Sequence, residues 1–197
     1  MIIEKIRYFL FGTLAPLLLI TGSILGLILF EFGSYMGSRN PGISEIIHAI
    51  GSTLSTAFLE EFFFRVILLS FLVRNLKVNW HAVALGSLIF ALLHAGNSHV
   101  TLIALLSHFV GGLVYCYAYL KTNSIWLPLG LHFGWNYAQI IWGMPVSGTS
   151  YAGFHQIQLT SNHLISGGLY GYEGSMLSII TDYPPDGYLL VSEGFHG

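Results

Sequence analysis

The run IIHAIGSTLSTAFLEEFFFRVILLSFLV, Ile46 to Val73, decides the fold. A helix needs roughly 20 apolar residues to cross a hydrocarbon core about 30 Å thick, and this run exceeds that. It also carries Glu60, Glu61 and Arg65 near its middle. Each such charge facing lipid costs about 2.5 to 3.5 kcal/mol, so three would cost roughly 8 to 10 kcal/mol. The three must therefore face the interior of a helix bundle. Glu61 and Arg65 stand i,i+4 and can pair on one helix face. Glu60 lies about 100° round the helix, an acid without a local partner. A structural ion pair would explain Glu61 and Arg65, since polar residues do glue membrane helices together, but it needs no second carboxylate. The other reading makes Glu60 a general base or a metal ligand.

Working outward, four more apolar stretches fit helices: Tyr8 to Phe30, Trp80 to Ala95, His99 to Leu120 and Ile125 to Trp142. The first follows Lys5 and Arg7, but its apolar core is too long for a signal peptide and no A-x-A-like site follows, so it reads as a retained helix. Glu31 to Pro41 reads as a loop, Arg74 to Asn79 as a short basic loop, and Gly96, Asn97 and Ser98 as a break. Of 197 residues, 54% are hydrophobic and only 8% charged, against about 25% charged in a soluble domain. Mean hydropathy is +0.69. This excludes a disordered chain, a nucleic-acid binder and an ordinary soluble enzyme. A net charge of -2 points to no polyelectrolyte partner, and the single Cys116 cannot form an internal disulfide. The expected fold is all-α, a polytopic transmembrane bundle of about five helices. Residues 1–142 form the transmembrane domain. Residues 143–197 are a polar, Gly-rich segment with Glu173, Asp182, Asp186 and Glu193 and no Lys or Arg.

Cationic residues orient the bundle. With the N-terminus in the cytoplasm, Lys5, Arg7, Arg74, Lys77 and Lys121 lie inside, Arg39 alone lies outside, and the 143–197 segment is outside.

Candidate partners for Glu60 are few. His94 ends the third helix, four residues after Phe90. His132 and Asn136 form an i,i+4 pair on the fifth. His108 reads as a packed histidine donating to a backbone carbonyl; His48, His81 and His99 read as interfacial. A glutamate and two histidines on three helices support two chemistries. One is a His₂Glu zinc site of Glu60, His94 and His132 with an open position for water. The other is metal-free: Glu60 and one histidine activate water, while the other histidine and the Asn136 amide stabilise an oxyanion. The metal-free form is favoured. Asn136 is a poor zinc ligand, and Glu61 serves Arg65, so no second carboxylate is left as base if a metal takes Glu60.

These residues also resemble a known family. Glu60-Glu61-Phe62-Phe63-Phe64-Arg65 is similar to the EExxxR motif of the CPBP family, the type II CAAX prenyl protease and bacteriocin-processing membrane proteins. Phe90 to His94 resembles its FxxxH motif and His132 to Asn136 its HxxxN motif, in the same order. The stretch GGLVYCYAYLKTNSIWLPLGLHFGWN, Gly111 to Asn136, resembles the family almost throughout. SGGLYGYEGS, Ser166 to Ser175, resembles a Gly-rich segment of some bacterial members.

The resemblance implies an intramembrane endopeptidase. Its catalytic set would be Glu60, Glu61, His94, His132 and Asn136. Glu60 would be the acid/base and His94 would help it hold the water. His132 and Asn136 would bind the oxyanion. Glu61 would join Arg65 in supporting the helix and tuning Glu60. It implies a membrane protein or peptide substrate, a lipid bilayer as surroundings, no nucleic acid, and a bacterial cell membrane as location. The chain is shorter than eukaryotic CAAX-processing members, which argues against prenylated substrates. The alternative is a non-catalytic bacteriocin-immunity or partner-binding protein of the same fold, which has no use for the four residues together. A bis-histidine haem protein gives the Glu-Glu-Arg set no role, and a transporter would show a repeat pair, which is not visible.

Overall fold

A computed structural model describes residues 2–76 and 78–182. Lys77, Asp186, Glu193 and His196 lie outside the described residues. Six helices carry the architecture. α1 is Ile2–Leu29, α2 Ile43–Glu61, α3 Ser70–Asn75, α4 Asn79–Leu93, α5 Leu102–Thr122 and α6 Trp126–Ile141. Between α2 and α3, Phe62–Leu69 winds as a π-helix, so Ile43 to Asn75 is one rod with a widened middle. Such π segments cluster at functional sites, and this one begins directly after Glu61.

The protein is mostly helical. Of the five expected spans, α1 with 28 residues and α5 with 21 are long and apolar enough to cross a membrane on their own. α4 has 15 residues and α6 has 16, below the roughly 20 of a full crossing. α4 exposes Leu85, Leu88, Leu92 and Leu93, whereas α6 is almost wholly buried. Leu10, Phe11, Leu14 and Leu18 of α1 and Phe58, Phe62, Phe63 and Phe71 of the α2–α3 rod are all exposed.

Close backbone contact holds α1 against α6. Gly130 and Gly134 are i,i+4 on α6, and a Cβ on either would strike the carbonyl oxygen of Phe9 or Thr13. A Cβ at Gly12 would lie 2.7 Å from the Leu127 oxygen. This is the small-xxx-small geometry of membrane helix pairs, worth its dispersion contacts rather than any hydrophobic transfer. It matters for the site because residues two further along a helix point about 200° away. With Gly130 and Gly134 turned to α1, His132 and Asn136 turn the other way. Ile20 and Ile24 pack on Trp135, Ala138 and Trp142, joined by Met144 and Tyr172 from beyond α6. On the opposite flank Leu69, Leu72, Ala82, Val83 and Cys116 tie the rod to α4 and α5.

The loop read over 31–41 is not irregular. Gly33–Ser38 forms β1, and it pairs antiparallel with β2, His155–Leu159, to make a two-stranded sheet. Its partner lies more than a hundred residues on, and two glycines and two serines in six residues gave no strand pattern. After β2 the chain forms α7, His163–Ser166, two single turns over Gly168–Tyr170 and Tyr172–Gly174, and α8, Met176–Asp182. α8 packs on α5 and α1, so this Gly-rich segment is docked into the helical body.

Candidate active site

α2, α4, α5, α6 and the segment after α6 surround a cavity of about 610 Å³. Glu60, His94, His132 and Asn136 all line it. The Glu60 carboxylate is 27% exposed, yet its Oε2 is buried and makes no hydrogen bond within the described residues. That atom faces His94 Nε2 at 3.9 Å and His132 Nε2 at 3.8 Å. These gaps are too long for direct hydrogen bonds and suit a bridging water.

Each ring is turned by a second bond. α4 ends at Leu93 and the chain tightens into a single turn from His94 to Gly96. His94 Nδ1–H donates to the Phe90 carbonyl at 2.8 Å, which leaves Nε2 as the lone-pair nitrogen toward Glu60. His132 Nδ1 lies 2.9 Å from Glu61 Oε1. An ionised carboxylate only accepts, so Nδ1–H is the donor and Nε2 again looks into the cavity. Tyr115 stacks on the His132 ring, with centroids 5.3 Å apart at 15°.

Glu61 is wholly buried and does two things. It takes Arg65 Nε–H at 2.9 Å and Nη2–H at 3.4 Å while holding His132. Arg65 is also wholly buried, with Cys116 Sγ at 3.7 Å from Nη1 and the rings of Phe90 and Tyr115 5.0 and 5.5 Å from its guanidinium. Local spacing pairs Glu61 with Arg65 alone; its link to His132 joins residues 71 apart, which no local spacing reveals.

Three further residues, His108, Glu173 and Asp182, line the cavity and a fourth, Tyr170, is buried behind it; local spacing gave none of them a role there. His108 does not serve a backbone carbonyl through Nε2: that atom meets the Tyr170 hydroxyl at 2.6 Å, and the ring stacks on His94 with centroids 3.9 Å apart at 24°. Burial pushes the Tyr170 hydroxyl up, so it stays protonated and a donor. Glu173 is 3% exposed and takes Trp135 Nε1–H at 3.1 Å and both Ser147 N–H and Oγ–H at 2.8 Å. Asp182 reaches Ser107 Oγ at 3.3 Å, and burial, then the Glu173 charge, push its carboxyl well above the usual carboxylate range. A rank of glycines, Gly167, Gly168, Gly171 and Gly174, was the available signal for these turns.

Burial alone would raise the Glu173 carboxyl, but the imidazoles nearby, which would charge only in acid, and the two Ser147 bonds bring it below its ordinary value. A lowered folded pKa contributes stability above the unfolded value of about 4.3 and loses it as pH falls through the folded one. Glu173→Gln turns an amide donor toward donors, so it is expected to lower unfolding stability by about 1.5 to 3 kcal/mol at neutral pH. Denaturation in mild detergent checks this, and the gap to wild type should close below about pH 4.

The metal alternative meets a geometric test. Among the described residues, no group of three or more His, Cys, Asp or Glu side chains stands placed to hold a metal ion. Glu60 and the two histidines come nearest, but their 3.8 and 3.9 Å separations exceed the roughly 3.3 Å between ligands of tetrahedral zinc.

Residues 42–138 match the family described as type II CAAX prenyl endopeptidase Rce1-like. The match takes in Glu60, His94, His132 and Asn136 and stops short of Tyr170 and Glu173. No curated protein and no solved structure matches the chain.

Proposed function

Because the chain belongs to the type II CAAX prenyl endopeptidase Rce1-like family, one of CPBP intramembrane proteases, we propose that it hydrolyses a peptide bond through water activated by Glu60. The observation that carries this reading is the buried, unpartnered Glu60 Oε2 facing two imidazole nitrogens at water-bridging distance.

The steps follow from the atoms. Water sits between Glu60 Oε2 and His94 Nε2 and gives one hydrogen bond to each. Glu60 takes a proton as the oxygen attacks the scissile carbonyl carbon. The resulting oxyanion receives the Asn136 amide N–H and, from doubly protonated His132, Nε2–H. The tetrahedral intermediate collapses, and Glu60 hands its proton to the departing amine nitrogen. Products are a carboxylic acid, which then loses its proton to solvent, and an amine. Glu61 keeps His132 turned, and Arg65 neutralises Glu61, so both act through their neighbours. No step passes through a metal.

In this reading residues 1–142 are the protease domain and 143–197 its polar cover. The α2–α3 rod, α4 and α6 lie in the bilayer with α1 and α5, which makes five membrane segments in a bacterial cell membrane with the N-terminus in the cytoplasm. Substrates are membrane proteins or peptides. A reporter fused after Gly197 is then expected on the outer face, and cytoplasmic labelling of it would overturn the orientation. Comparing membrane proteomes from cells carrying the wild type and Glu60→Gln tests the function: fragments confined to the wild type identify substrates, and identical proteomes count against proteolysis. Metal independence predicts activity that survives chelation in purified protein free of bound metal. About one zinc per chain, with activity lost to a chelator and restored by zinc, would replace the metal-free mechanism.

A further inference from the structure

The segment after α6 lies beyond the family match and yet reaches the cavity. Glu173 anchors it. Its carboxylate bridges Trp135, which sits between His132 and Asn136 on α6, and Ser147. Just before this anchor the chain turns at Gly171, whose φ of 99° and whose contact with the Pro145 carbonyl leave no room for a Cβ. The turn drives Tyr170 inward until its side chain is fully buried. There the Asn97 amide donates to the Tyr170 oxygen at 3.3 Å, which frees the hydroxyl proton for His108 Nε2 at 2.6 Å.

His108 lines the cavity but stands behind His94. The two rings are stacked face to face. Among the described residues His94 has one hydrogen bond fixing its ring, from Nδ1–H to the Phe90 carbonyl. One hydrogen bond alone would let the ring swing about it. The tilted Phe90 ring 4.7 Å away and the parallel His108 face 3.9 Å away limit that swing, and Tyr170 in turn holds His108 in plane.

We infer that Tyr170 is a positioning residue of the catalytic centre, acting through His108 to hold the His94 ring at the distance from Glu60 that water requires. The inference rests on the reading of Glu60 and His94 as the water-holding pair. It gives the Gly-rich segment a part in turnover: it supplies the far end of a chain running Tyr170, His108, His94, Glu60.

Tyr170→Phe keeps the ring and removes only the hydroxyl. In the full-length protein, with a quenched-fluorescent peptide cleaved by the wild type and spared by Glu60→Gln, kcat is expected to fall about tenfold with KM within about twofold, since small misplacements of a reacting group carry large rate penalties. His108→Phe, which keeps the stacked face but cuts the link, should give a similar loss. The double variant should be no worse than either single one, because coupled residues are non-additive. Nitrogen NMR of histidine-labelled protein reads the same device without turnover: the His94 ring resonances should shift in Tyr170→Phe. Unchanged kcat and unchanged His94 resonances would overturn the inference. So would equal losses in kcat and KM with the His94 resonances in place, the result of a merely structural tail. If Tyr170→Phe does not purify, His108→Phe carries both readouts. Full activity in Glu60→Gln would instead remove the water-activation reading, and the NMR would still decide whether Tyr170 fixes His94.

Discussion

Glu60→Gln is expected to insert, purify and melt like the wild type while turnover falls by about 10²- to 10⁴-fold, the range that a positioned general base contributes. The amide is nearly the same size and carries no charge. It also leaves the ion pair of Glu61 and Arg65 untouched, because that pair is wholly buried and includes no atom of Glu60. The variant can still hold a water near His94, but its amide has no basic oxygen to take the proton. Turnover measured on equal amounts of purified protein checks this, and near-normal rates would remove Glu60 from the chemistry.

Arg65→Ala is expected to be the most damaging change to the fold, at about 3 to 5 kcal/mol, because it strands a carboxylate with no water around it. Glu61 would keep only His132 as a partner, and the space under Phe90 and Tyr115 would empty. Replacing both charges by Glu61→Gln with Arg65→Met should be milder, since a buried pair exchanged for neutral groups of similar volume is often close to neutral. The double variant should nonetheless lose activity, because Glu61 also turns His132. Unfolding of Glu61→Gln, Arg65→Met and the double variant forms a cycle, and additive losses would show that the residues do not interact.

What could be read from sequence was what local spacing encodes. The apolar runs located α1, the α2–α3 rod, α4, α5 and α6 to within a few residues at most ends, because helix length and hydrophobicity are local properties. α1 begins at Ile2 rather than Tyr8, since Lys5 and Arg7 are as compatible with a helix as with a flank. The i,i+4 spacing of Glu61 and Arg65 is likewise local, and so is that of His132 and Asn136. The approach of His94 to Glu60 was harder to read. The apolar run continues to Ala95, whereas α4 ends at Leu93 and His94 begins a tighter turn lining the cavity.

What stayed hidden depends on residues far apart in the chain. The β1–β2 pair, the His132 bond to Glu61, the Tyr170 bond to His108 and the Glu173 bond to Trp135 each join distant segments. A Gly-rich stretch with two tyrosines and a glutamate reads as loop when met alone. Only the packed structure turns it into a wall of the cavity. The π-helix after Glu61 had no sequence signal, since its residues, Phe62 to Leu69, would serve an α-helix equally well.

The central claim is that Glu60 activates water and does not itself attack the peptide carbonyl. A single-turnover reaction in heavy-oxygen water, with the enzyme in excess over a cleavable peptide, tests it most directly by mass spectrometry of both product and enzyme. The account predicts one heavy oxygen in the new product carboxylate and an unlabelled Glu60. A product bearing only ordinary oxygen, with the label in the Glu60 side chain, would mean that the carboxylate formed a covalent intermediate and would contradict it.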